Sequence, residues 1–542
     1  MKLKTLVPGF GSRLEKIGVW IVGILAVMFA FFISLTSLLH TTVVDNVKEG
    51  EGKETIIYRI KEHIESVIYY NDNLFLNLVI LAVTLVLCFI IAKKCSGIRL
   101  RYSLSFLFIW TAALGIIWVI SSQSAPSEDS MCVTNASFEF AKNNFISLAP
   151  ENRYFRNYSF QLGYVLFNEL IIRFANLFEP KNILYLEVLN AIFLAVINVF
   201  IVMINHVLFN DKRITNLTAF VMALSAAPII SCSFIYGIIP GMMFAVIAVY
   251  FEIRYLKESK IAFAVVSVVC IALAMLIKSN YLIWLIAMML VAFVKLFSRK
   301  KYIRDAVFIV AAVAVSMSVQ PAVKSLYEHR ADVDLGDSIP YVSWISMGLN
   351  ESDLAPGWYS YFKTVTNFED SNFDADEASK RSIKDIKERL KYFADNPQYA
   401  NDFFYMKTVS QWNDTSYQSI WNNIVRAQFA PKNAFANWVC GDGDTKVKGY
   451  MDYFAQLVFF GFLAGCIYAL KKKKLINLFF PLIFVGGFMY QLISEGKSQY
   501  IMPYFILMSG FAAYGIVSLL DSGIPSKIKK SIFKKERKNE SA

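Results

Sequence analysis

Residues 74–120 read LFLNLVILAVTLVLCFIIA (74–92), KKCSGIRLR (93–101) and YSLSFLFIWTAALGIIWVI (102–120). Each flanking run approaches the roughly 20 apolar residues that a helix needs to cross a bilayer, and the short block between them carries Lys93, Lys94, Arg99 and Arg101. Two spans joined by a basic turn make a membrane hairpin, and the positive charge places that turn on the cytoplasmic side.

The same alternation runs outward in both directions. Apolar runs stand at 17–39, 74–92, 102–120, 183–205, 214–236, 237–253, 260–278, 280–297, 306–323, 451–470, 475–494 and 499–520. The chain is therefore expected to be an all-α polytopic membrane protein with about twelve transmembrane helices, or thirteen if the run at 161–178 also crosses. That run is interrupted by Glu169 and Arg173 and is expected to lie at the outer interface. The first run follows Lys2, Lys4, Arg13 and Lys16 as a signal peptide would, but it is too long and has no small-residue cleavage site, so it is expected to stay as a helix.

Composition agrees with this class. The chain has 542 residues, is 56% hydrophobic and has a mean hydropathy of +0.46, beyond the range of a soluble enzyme. Its net charge of +12 does not point to nucleic acid, because the basic residues sit in blocks beside apolar runs. Those blocks lie at the N-terminus, 93–101, 212–213, 254–260, 295–304, 471–474 and 527–538, and all fall on one side if the spans alternate. Both termini are then cytoplasmic. The composition, rich in Lys, Asn, Ile and Phe, suits a bacterial cytoplasmic membrane. Among seven cysteines, only Cys132 and Cys440 would face outward and offer a bridge. His40, His63, His206 and His329 have no ligand spacing, so no metal site is expected.

Six regions follow: 1–120, N-terminal spans with an external amphipathic segment; 121–182, an external loop and interfacial helix; 183–323, central spans; 324–450, an external domain of mixed, mainly helical structure; 451–520, C-terminal spans; and 521–542, a basic tail. In the external segment of the first region, Ile56, Ile60, Ile64 and Val67 recur at helical spacing, which predicts a helix resting on the membrane surface. Trp344, Trp358, Trp412 and Trp421 of the external domain are expected to form its small core, with stacking on sugar rings as the alternative.

Ionisable groups gather at the helix ends opposite the lysine blocks: Asp129 past one span, Lys278 ending another, and Glu495 with Lys497 between the last two. A carboxylate there can take a proton from a hydroxyl, while lysines can hold a phosphate as it leaves. The plainer reading is that loop acids are solvated and helix-end lysines snorkel to the headgroups.

The order of short motifs sharpens this. The loop reads Pro126-Ser127-Glu128-Asp129-Ser130 and continues to Thr134-Asn135-Ala136-Ser137-Phe138, Arg153-Tyr154 and Tyr158-Ser159-Phe160-Gln161-Leu162-Gly163-Tyr164. Later come Tyr236-Gly237 with Pro240-Gly241, Lys278-Ser279-Asn280-Tyr281, Trp344 to Gly348, Ala355-Pro356-Gly357-Trp358-Tyr359 and Glu495-Gly496-Lys497-Ser498-Gln499-Tyr500. From about residue 102 to 520 this order resembles the membrane glycosyltransferases of the C-type superfamily, the bacterial relatives of protein O-mannosyltransferases and aminoarabinose transferases.

The resemblance implies an inverting transfer of a sugar from a polyprenyl-phosphate donor to an envelope acceptor, polymer, glycolipid or protein, on the extracytoplasmic face. Asp129 matches the acceptor-activating base, with Glu128 beside it. Arg153, Arg156, Lys497 and Lys278 are candidates for the donor phosphate, and Glu495, Tyr500 and Gln161 for substrate contacts. Where the family usually has Glu after the Asp, this chain has Ser130. That departure weakens the case for a divalent cation, and no cofactor is otherwise implied. Two other classes compete: a polysaccharide polymerase or ligase, and a lipid-linked-glycan flippase or transporter. Transporters commonly show repeated halves, and no internal repeat is evident here.

Overall fold

The computed structural model describes residues 10–46, 59–60, 63–180, 182–299 and 301–523. Among the described residues, ten helices are long and apolar enough to cross a membrane. Lys212–Ala223 and Ala226–Ser233, bent by 51°, form an eleventh span if taken together, and Ile261–Ile277 is apolar but has 17 residues. A helical segment stands at each expected place, so the architecture is the all-α polytopic membrane protein expected, while the count of twelve agrees only roughly. The run at 161–178 is not among the ten; its helix Leu162–Ala175 packs on Glu128–Ala141 and Tyr302–Ala331. The bend in the paired span has a local cause: Pro228, in the first turn of the second piece, has no N–H to donate and its ring clashes with the carbonyl four residues back, so the helix cannot run through.

Polar contacts tie helix ends together at one end of the bundle. Glu15 meets Lys295 at 2.6 Å and the backbone N–H of Leu475 at 3.3 Å; Arg213 pairs with Asp521 at 2.7 Å; Arg299 donates to the Tyr255 carbonyl at 3.0 Å. These residues belong to or adjoin the basic blocks, which therefore share a face. The N-terminal lysines and the 527–538 block lie outside the described residues. Burial separates hub from rim: 83% of the apolar window of Met502–Asp521 is buried inside the protein against 17% for Leu74–Gly97, which exposes its side chains around nearly its whole circumference, as a lipid-facing helix does.

The segment expected as a surface helix is instead a small antiparallel sheet of order β1-β3-β2, with β1 at His40–Asn46, β2 at Arg59–Ile60 and β3 at His63–Asn71. His40 pairs with Asn71 and Asn46 with Glu65. Helical spacing of four apolar residues loses here to the strand preference of Thr-Thr-Val-Val and Val-Ile-Tyr-Tyr, which find each other across the loop. Ile56 lies outside the described residues. Thr42 anchors the sheet, its N–H bonding the Asn413 carbonyl at 3.1 Å and its hydroxyl the Val409 carbonyl at 3.0 Å.

Between 332 and 443 the chain is mainly helical, its longest helices being Ala375–Asp395 and Pro397–Trp412, with small apolar cores, one of Ile339, Val365, Phe368 and Ala378, another of Leu349, Phe393 and Phe403. Trp358 and Trp421 are buried with Val44 and Ala355, while Trp412 joins the main membrane core. Cys132 and Cys440 are both free thiols.

Candidate functional site

At the face opposite the basic blocks a cavity of about 370 Å³ is lined by residues from eight separate parts of the chain. Glu128 and Asp129 come from the first turn of Glu128–Ala141, Lys278 from the end of Ile261–Ile277, and Glu495, Lys497 and Tyr500 from the turn before the last helix. Gln161 and Tyr236 complete that wall, Trp344 and the 352–361 loop form another, and Glu65 of β3 enters from the sheet.

Asp129 projects toward the cavity from a helix start that the chain enters through Glu128 at φ +51°, a left-handed conformation uncommon for a residue with a side chain. The turn is fixed from behind, where the buried Ser130 hydroxyl donates to the Ile235 carbonyl at 2.7 Å. The Ser130 side chain thereby anchors the helix to the Phe234–Gly237 segment. That segment in turn carries Tyr236, whose hydroxyl donates to Asp129 Oδ2 at 2.7 Å and accepts from Gln161 Nε2 at 3.1 Å. Because the amide nitrogen can only donate, the relay runs one way and ends on the carboxylate.

Lys278 Nζ lies 3.7 Å from the centroid of the Tyr236 ring and 5.8 Å from that of Tyr500. Its helix is made to stop beside the cavity: Gln320 Nε2 donates to the carbonyls of Met275 and Leu276 at 3.0 and 2.8 Å, satisfying the last turn. Burial lowers the Lys278 pKa to about 8, against the attraction of Asp129 and Glu495.

The Lys497 wall rests on buried polar groups. Lys407 is fully buried and donates to the Ser494 carbonyl at 2.7 Å and to the carbonyl of Gly348. Gly357, at φ +74°, bonds Asn350 through its N–H at 2.8 Å and accepts from the Gly496 N–H at 2.6 Å. A Cβ there would lie 2.6 Å from Lys407 Nζ, so glycine is required both for its backbone and for the close approach. Asp414, also buried, gathers four donors: Ser416 N–H and hydroxyl at 3.2 and 2.6 Å, Gln418 N–H at 3.1 Å and the Ser498 hydroxyl at 2.5 Å. Gln418 reaches on to Glu65 Oε1 at 2.9 Å.

Burial opposes the Lys497 charge, but Glu65, Glu495 and Asp129 outweigh it and hold the pKa above the ordinary lysine value. Burial pushes Glu495 up to about 7 against the pull of Lys497, and raises Glu128 as well. Lys407 is lowered to about 7 by burial. The cavity thus sets five carboxylates, Glu65, Glu128, Asp129, Asp353 and Glu495, around two ammonium groups, Lys278 and Lys497. Among the described residues no group of three or more His, Cys, Asp or Glu side chains is arranged to hold a metal ion. Opposite the charges, Trp344 lies 6.1 Å from Tyr158 and 6.3 Å from Phe160, ring to ring, and the three form an aromatic surface.

Seven of the residues expected from sequence meet in this cavity: Glu128, Asp129, Gln161, Lys278, Glu495, Lys497 and Tyr500. Arg153 and Arg156 do not line it. Their guanidinium groups lie 5.1 and 4.2 Å from the Phe373 ring centroid, and Arg153 pairs with Glu369 at 3.1 Å. Glu65, Lys407 and Asp414 had no sequence signal, since nothing local marks a strand acid or a buried loop charge as facing a distant cavity. Tyr236 stood within a quoted motif without a role.

The arrangement can accept a proton at Asp129 and hold an anion between Lys278 and Lys497, within one space. A family model described as conserved hypothetical integral membrane protein matches residues 19–515. No curated protein matches the chain.

Proposed function

The chain belongs to the family of conserved hypothetical integral membrane proteins, and from that premise we propose that it is a membrane glycosyltransferase that moves a sugar from a polyprenyl-phosphate donor to a hydroxyl of a cell-envelope acceptor. The observation that carries the reading is the placement of Asp129 in one cavity with Lys278 and Lys497. The acceptor oxygen attacks C1 of the sugar as Asp129 takes its proton; the bond from C1 to the phosphate oxygen breaks, and the electron pair leaves with the polyprenyl phosphate. A single displacement of this kind inverts the anomeric centre.

The leaving phosphate gains charge as the bond breaks, so Lys497 and Lys278 serve best where they already stand. Arg153 and Arg156 suit this role less well, being stacked on Phe373 away from the cavity lining. Tyr236 presents Asp129 with one oxygen engaged. The basic blocks on the opposite face favour an extracytoplasmic cavity, with both termini in the cytoplasm of a bacterial cell. Its position beside helix ends, rather than at mid-helix, favours group transfer over alternating access. A polymerase or ligase would draw on the same groups with a growing polymer as acceptor.

The test is Asp129→Asn in the purified protein with polyprenyl-phosphate hexoses. Transfer is expected to fall about 10²–10⁴-fold, the usual contribution of a general base, with the melting temperature retained. Wild-type turnover in this variant would remove Asp129 from the reaction.

A further inference from the structure

A second polar cluster lies away from the cavity, where the C-terminus of the Phe10–Leu39 helix meets the Asp444–Lys472 helix. Asp452 and Gln456, one turn apart on the latter, are 6% and 0% exposed. Gln456 Nε2 donates to Asp452 Oδ2 at 2.9 Å and to the Ser37 carbonyl at 3.0 Å. Across from them, in the turn after β3, Asp72 Oδ2 accepts from the Thr41 hydroxyl at 2.8 Å, and its N–H bonds the Leu39 carbonyl at 2.9 Å. Asp452 interacts with both Thr41 and Asp72, so the two carboxylates share one neighbourhood.

Several features call for a positive charge at this point. Among the described residues Asp452 Oδ1 and Gln456 Oε1 are buried without a hydrogen-bond partner, and Gln456 is held with its amide against the carboxylate. The Phe10–Leu39 helix ends here, adding the negative end of its dipole to two carboxylates that already repel. Lys448, one turn before Asp452, is engaged by Asp45 at 3.0 Å and Asp444 at 2.8 Å. A basic side chain, that of His40, stands beside Asp72.

We propose that Asp72 and Asp452, with the oxygens of Thr41 and Gln456, bind a hard metal cation of the sodium or calcium type. Carboxylate, hydroxyl and amide oxygens are the ligands such ions take. A cation here clamps the first helix, the turn after β3 and the Asp444–Lys472 helix into one unit. It thereby holds the sheet whose strand β3 carries Glu65 into the cavity.

The experiment uses the full chain in detergent, stripped of metal in a choline chloride buffer of fixed ionic strength. Radiolabelled sodium and calcium are titrated in separate arms, and thermal unfolding is followed with each. One ion is expected to bind saturably, one per chain, and to raise the wild-type melting temperature by about 2–4 °C. Asp452→Asn should bind at least tenfold more weakly and lose the thermal response, yet melt no lower than metal-free wild type because a repulsion has been removed. Absence of saturable uptake in both arms, or equal uptake by Asp452→Asn, overturns the proposal. So does a melting temperature that answers to acid but to neither ion, which would mean that the carboxylates share a proton.

Discussion

The Asp129 wall and the Lys497 wall of the cavity hold their charges by opposite means. Asp129 sits exposed to the cavity at a helix start, and its position rests on one phenol, one serine and a left-handed backbone turn. Lys497 rides on a turn whose backbone is bound from below by Lys407 and Gly357 and whose Ser498 hydroxyl is bound by Asp414, all three buried and all contributed by the 332–443 segment. The difference suits the two tasks proposed for them. A group that must meet an incoming hydroxyl has to be open, whereas a group that stabilises developing charge works best when it needs no reorganisation.

The widest contrast is therefore expected between Asp129→Asn and Lys407→Met. The first abolishes transfer while leaving folding and donor binding intact. In Lys407→Met the carbonyls of Gly348 and Ser494 lose their donor inside the protein. With a cost of about 1–3 kcal/mol for each buried group left unpaired, the loss is about 2–6 kcal/mol in total. The melting temperature should drop, and affinity for a short polyprenyl phosphate, read by calorimetry, should weaken more than about tenfold. Should Lys407→Met keep wild-type affinity, the Lys497 turn does not depend on its buried support and the contrast between the walls disappears.

Acidity should separate the walls next. As pH rises from 6 to 9, Glu495 loses its proton near 7 and becomes negative, and Lys278 loses its proton near 8 and becomes neutral. Lys497, held above the ordinary lysine value, stays charged. The cavity becomes more negative by up to two charges, so affinity for the anionic donor falls with rising pH, by about 10- to 100-fold over this interval. Glu495→Gln should remove the lower step of the profile and keep the upper one. A flat wild-type profile would mean that neither group contacts the phosphate.

Much of this could be read from the chain before its fold was known, for reasons that differ by region. The spans were legible because the bilayer imposes a length and an apolar composition that lie within one segment. Asp129, Lys278 and Lys497 were legible because charges at helix ends stand out against apolar runs. The sheet was not, since β1 and β3 show their pairing only when brought together, and taken alone Ile56 to Val67 carries helical spacing. Lys407 and Asp414 lie in polar stretches where charge is ordinary; their burial is a property of the folded loop, and only the packing of distant segments marks them out. The separation of Arg153 and Arg156 from the cavity follows from Phe373, a partner more than 200 positions away, and no spacing rule reaches that far.

The smallest expected effect probes the Lys497 wall at its rim. Ser498→Ala removes one of four donors to Asp414 and leaves Ser416 N–H, Ser416 Oγ and Gln418 N–H in place. Because the carboxylate keeps three bonds and is not left bare, the loss should be about 1 kcal/mol, below that of Lys407→Met. The bond is nevertheless the direct link between Asp414 and the turn that carries Lys497, so the turn should loosen locally. Donor affinity is expected to fall about three- to fivefold, while the rate at saturating donor, set by Asp129, stays unchanged. A variant that lost rate rather than affinity would mean that the turn does more than hold the phosphate, and that the two walls act on the reaction together.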